Sequence, residues 1–90
     1  MTQHTDIAQS IIIGAWCVRQ TAQGNTDPAI RRMHSRERFC FDALLSDKTA
    51  LERDAIWQRY IKQALQMLGS QDKYAAALSM AAMLEEENAL

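Results

Sequence analysis

Residues 7–23, IAQSIIIGAWCVRQTAQ, decide the fold class, because they support two different elements. Ile7, Ala8, Ile11, Ala15, Val18 and Ala22 recur at helical spacing on one face, and Ile12, Ile13 and Trp16 widen it. Against this, Ile11-Ile12-Ile13 is a β-branched triplet and Gly14 weakens a helix interior, so a short strand is the competing reading. A strand needs partners, and no second convincing strand occurs in the chain. The segment is therefore read as a helix, capped by Thr5 or Asp6 and closed by Gly24-Asn25, with residues 1–5 frayed. A helix apolar over so much of its girth is either central to a core or buried partly against another chain.

Gly24-Asn25-Thr26 is the clearest loop. Asp27-Pro28 opens a second helix, with Asp27 as N-cap and Pro28 at the first position, where its missing N–H costs nothing. Stepping about 100° per residue gathers Ile30, Met33, Cys40, Phe41 and Leu44 on one face. Glu37 then falls within that face and Phe39 opposite it. Either the helix breaks near Ser35, or Phe39 is exposed for a purpose. Ser46-Asp47-Lys48 is a short link, which predicts an antiparallel neighbour.

That neighbour is the best-specified helix. Thr49 and Glu52 have capping-box spacing, and Gly69 stands where a left-handed residue ends a helix. Ile56, Trp57, Tyr60, Ile61, Ala64, Leu65, Met67 and Leu68 form its broad apolar side. Ser70 is the expected cap of a last helix whose face is Tyr74, Ala77, Leu78, Ala81 and Leu84, with Met80 alongside. Its acidic end, Glu85-Glu86-Glu87, opposes the helix dipole, so residues 86–90 are expected to fray. The predicted fold is all-α: one domain spanning 1–90, a compact bundle of four helices at about 7–23, 28–45, 50–68 and 71–87.

Composition agrees. One Pro and three Gly leave few turn signals, which favours a few helices over many short strands, and 48% hydrophobic residues suffice for a core. A net charge of −1 provides no global field for nucleic acid or anionic membrane. The start, MTQHTD, lacks a basic n-region, and the longest apolar run, Ile11 to Val18, is far short of the ~20 residues that cross a bilayer. A soluble, cytoplasmic protein is expected, with Cys17 and Cys40 buried and reduced.

The residue patterns argue against catalysis. Cys40 and His34 stand nearly two turns apart, and a nucleophile needs its base within hydrogen-bond reach. Glu52 and Asp54 read as capping and solvated charge. No phosphate loop or HExxH occurs, and His4, His34 and the two cysteines lack metal-ligand spacing. No enzyme, cofactor or metal is expected, and His34 reads as an edge or surface histidine.

The run Arg31-Arg32-Met33-His34-Ser35-Arg36-Glu37-Arg38-Phe39 carries the functional expectation. Arg32, Arg36, Phe39 and Ala43 form a stripe opposite the core face, and arginine beside an aromatic is the composition of interface hot spots. The same residues suit phosphate contacts around a stacked base, or ion pairs with Glu37, Asp42 and the acidic end. Residues 63–83 faintly resemble a helix-turn-helix, but the recognition position holds one lysine, Lys73, and no arginine. Ile12, Trp16, Phe39 and Met83 fall off the best core faces, which suggests burial against a partner. The expected function is a small non-enzymatic interaction module, an adaptor, inhibitor or accessory subunit. It would bind another protein or a second copy of itself through Arg32, Arg36 and Phe39, with Arg31, Arg38 and Trp16 and surplus apolar surface of the first helix. A nucleic-acid-binding regulator using the Arg31–Arg38 cluster is the alternative. Neither a membrane nor a small-molecule substrate is expected.

Overall fold

A computed structural model describes residues 3–88 and 90. Four helices follow one another: α1 (Gln3–Ala22), α2 (Pro28–Leu44), α3 (Ala50–Leu68) and α4 (Lys73–Glu86), with no strand among the described residues. The segment 7–23 is helical through Ala22, so the Ile triplet does not form a strand. α1 begins at Gln3, within the part expected to fray, and Gln3 donates from its side chain to the Leu44 carbonyl. The expected fraying of residues 1, 2 and 89 lies outside the described residues.

Local hydrogen bonding accounts for most boundaries. Gly24 adopts φ +91°, a conformation glycine reaches without strain, and the Asn25 N–H reaches back to the Gln20 carbonyl at 2.9 Å to close α1. Asp27 accepts from the Ala29 N–H at 2.9 Å ahead of Pro28. The capping box forms reciprocally, with Glu52 N–H to Thr49 Oγ1 at 3.1 Å and Thr49 N–H to Glu52 Oε1 at 2.9 Å. Two termini differ from expectation. Gly69 is right-handed (φ −69°), and the Leu68 carbonyl is taken by the Arg19 guanidinium of α1. α4 is capped by Asp72, not Ser70, because the Ser70 and Gln71 N–H groups are spent on the Met67 carbonyl in the turn that ends α3.

α1 is the central helix, packed against each of the other three. Ile7, Ala8, Ile11, Ile12 and Ala15 are fully buried between Phe41 and Leu45 on one side, Trp57 to Leu68 on a second, and Ala76, Met80 and Leu84 on a third. An all-round apolar helix is therefore satisfied inside one chain. Buried Gly14 lets the Trp57 ring lie against the α1 backbone: a Cβ there would fall 2.6 Å from Trp57 Cη2. Trp57 also meets Phe41 edge-on at 4.9 Å and His34 at 6.1 Å. Ion pairs join α2 to the first turn of α3, Asp42 with Arg53 and Arg38 with Asp54, but the two helices pack mainly on α1 and little on each other, so the short link does not make them the close neighbours it predicts.

At the other end, Glu87 accepts from Tyr60 Oη at 2.7 Å and Arg59 Nη2 at 3.1 Å, and Leu90 packs on the core. The acidic terminus is thus anchored at Glu87, in contrast to the expected fraying; Arg59 offsets the Glu87 charge that opposes the α4 dipole, and Tyr60 adds a hydrogen bond to the same carboxylate. Among the described residues, no helix is long and apolar enough to cross a membrane.

Candidate functional site

The seven arginines separate by what holds them. Arg19 binds the end of α3, and Arg59 binds Glu87 while lying 5.3 Å from the Tyr60 ring. Arg53 pairs with Asp42 at 3.1 Å and reaches the Lys48 carbonyl. Arg38, expected in the binding cluster, is a structural residue. It pairs with Asp42 at 3.3 Å and Asp54 at 3.4 Å, and its guanidinium stands 5.2 Å from the Trp57 ring and 5.7 Å from Phe41. These stacked and paired contacts tie Arg38 to the interior side of α2.

Arg31, Arg32 and Arg36 remain outside. Arg31 and Arg32 have no ion-pair partner among the described residues, and Arg36 has only its sequence neighbour Glu37, at 3.6 Å. α2 is continuous through Ser35, so Phe39 is not re-phased into the core; it is 74% exposed. Arg32, Arg36, Phe39 and Ala43 thus form an unbroken outward stripe, with the exposed Cys40 at its margin.

Cys40, expected on the apolar face and buried, is exposed. α2 is rotated from that phase, because Arg38 and His34 turn inward toward Trp57 and Cys40 correspondingly turns out. Glu37 does enter the interface, with a mostly covered side chain. Cys17 is buried as expected, and burial first, then the Glu37 charge, raise its thiol pKa above 9.0. His34 sits half-buried at the edge of the α1–α2 packing, and its Nε2 is the buried side-chain nitrogen left without a hydrogen-bond partner among the described residues.

The expected surplus apolar surface of α1 is absent. Ile12 is fully buried, Met83 packs on the core, and of the large apolar α1 side chains only Val18 is exposed, at 37%. Trp16 is half-buried against the core and covered by Lys73, whose Nζ lies 4.3 Å from the ring centre. Bare apolar surface lies instead on α4. Tyr74 and Leu78, read as core residues, are 74% and 56% exposed, while Ala76, Met80 and Leu84 are buried. With alanine on several sides of this helix, its sequence has no dominant face to mark which side turns inward. The exposed line Tyr74–Leu78–Ala82–Glu85 carries no cation, and Lys73 is turned to Trp16, so α4 has no charge with which to track phosphates.

No protein-family model, curated protein or solved structure matches this chain.

Proposed function

We propose that the chain is a small non-enzymatic interaction module that binds a protein partner through the outer stripe of α2. The supporting observation is a large aromatic, Phe39, standing 74% exposed next along the α2 stripe from Arg32 and Arg36, which the fold does not use. Four other arginines are each committed to an internal contact. Truncating Arg32, Arg36 or Phe39 would therefore remove little from the folded state. An exposed aromatic with flanking guanidinium groups is the arrangement that dominates binding energy at many interfaces. A partner complementary to it has an apolar socket for the ring and carboxylates for Arg32 and Arg36.

The nucleic-acid reading uses the same surface with less charge, because Arg38 is tied to Asp42 and Asp54 and only Arg31, Arg32 and Arg36 remain. The two readings separate by salt and by residue. Wild-type protein and the Arg32→Ala/Arg36→Ala/Phe39→Ala variant are immobilised and exposed to native extract, with retained protein and nucleic acid both quantified across a salt series. Protein capture that survives moderate salt and is lost with Phe39→Ala alone supports the proposal. Retention of nucleic acid that collapses with salt supports the alternative. If the triple variant retains every partner the wild type does, the stripe is not the binding surface.

A further inference from the structure

A second feature lies away from the stripe, where the end of α1 and the start of α2 diverge before the 23–27 loop joins them. They enclose an open cleft of about 650 Å³. Volumes of roughly 300–1,000 Å³ are typical of small-molecule sites, and mostly apolar walls with few polar groups are their usual lining. Here Val18, Ala22, Pro28 and Ile30 form apolar walls beside buried Cys17.

The polar groups of the cleft can be sorted by whether the fold already uses them. Thr21 donates its hydroxyl to the Cys17 carbonyl at 3.1 Å. Asn25 donates to the Gln20 side chain and accepts from the Asp27 N–H at 3.0 Å. The Asp27 carboxylate accepts from the Ala29 N–H, and the α2 dipole offsets its charge. What remains is the Thr26 hydroxyl, the His34 ring and the Arg31 guanidinium. Arg31 is the charged group of the cleft without a partner among the described residues, and a guanidinium can only donate.

We propose that this cleft binds a small apolar molecule bearing one carboxylate, the apolar body lying between α1 and α2 and the carboxylate paired with Arg31. The ligand is held rather than transformed: the Cys17 thiol is buried, and burial raises its pKa. The site is independent of the Phe39 stripe, and either can fail without the other.

The test is a titration of isotopically labelled protein, followed by amide NMR, with naphthalene-2-carboxylate and its neutral counterpart naphthalene-2-carboxamide. The expected result is saturable shifts confined to residues lining the cleft, with the carboxylate binding up to about fivefold more tightly, the effect of a partly exposed ion pair. Arg31→Gln should bring the carboxylate down to the affinity of the amide. Ala22→Trp, at an exposed position that leaves the core intact, should fill the cleft and abolish both. Absence of saturable binding overturns the proposal. So do equal affinities for the two probes in wild type, shifts centred on other surfaces, or binding that persists in Ala22→Trp with helicity unchanged.

Discussion

The Trp57 ring rests on the backbone of α1 at Gly14, so closely that an added Cβ would lie 2.6 Å from Cη2 and 2.8 Å from Cζ2. A glycine that costs about 1 kcal/mol of helix propensity relative to alanine is kept because it brings the central helix against the aromatic hub. Gly14→Ala recovers that propensity but overpacks the contact, at roughly 1–3 kcal/mol. The expected net effect is destabilisation of up to about 2 kcal/mol, read as a lowered urea midpoint. In a Trp57→Phe background, where the clashing ring is removed, the same substitution should cost less. Equal costs in both backgrounds would mean that the contact is not the constraint.

The phase of α4 is open to a direct check. Met80 is fully buried, and Met80→Ala should cost about 2–5 kcal/mol through the cavity it leaves. Tyr74→Ala and Leu78→Ala, on the exposed side, should stay within about 0.5 kcal/mol. Comparable losses at Leu78 and Met80 in chemical denaturation would show that α4 is turned differently.

Alkaline pH should weaken the fold through Tyr60. Burial, and then its hydrogen bond to Glu87, raise its pKa above the ordinary 10.0. The folded state holds the phenol proton more tightly than the unfolded chain does. This contribution is complete below pH 10.0 and is lost as pH rises through the raised value. Unfolding free energy measured from neutral pH upward should therefore fall above pH 10.0, and Tyr60→Phe should fall less steeply. Parallel curves for the two proteins would exclude the effect.

The two thiols should differ sharply in reactivity. Cys40 is exposed beside Phe39, whereas Cys17 is buried and burial raises its pKa, which lowers its thiolate fraction. Ellman's reagent should titrate one thiol rapidly in the native protein and the second only on unfolding, and Cys40→Ser should remove the rapid phase. Two fast thiols would contradict the buried position of Cys17.

How legible this protein is depends on the range of the interaction concerned. The starts of α2 and α3 follow from Asp27-Pro28 and from Thr49 with Glu52, and the end of α1 from Gly24. In each case a side chain or glycine within a few residues satisfies the local backbone. Phe39 was legible as an outlier because its position conflicts with the face defined by Ile30 and Phe41. Tertiary contacts decided the rest. The Leu68 carbonyl at the end of α3 is taken by Arg19, which is remote in sequence. Arg38 left the binding cluster because Trp57, Asp42 and Asp54 claim it. α4, apolar on most sides, could turn any of several faces inward until α1 buried Ala76, Met80 and Leu84. By itself, then, the sequence determined four helices and one misplaced aromatic, since capping and periodicity act within a few turns. Which helix is central, which arginines are free and which apolar residues stay bare were decided by the tertiary structure, because each depends on partners distant along the chain.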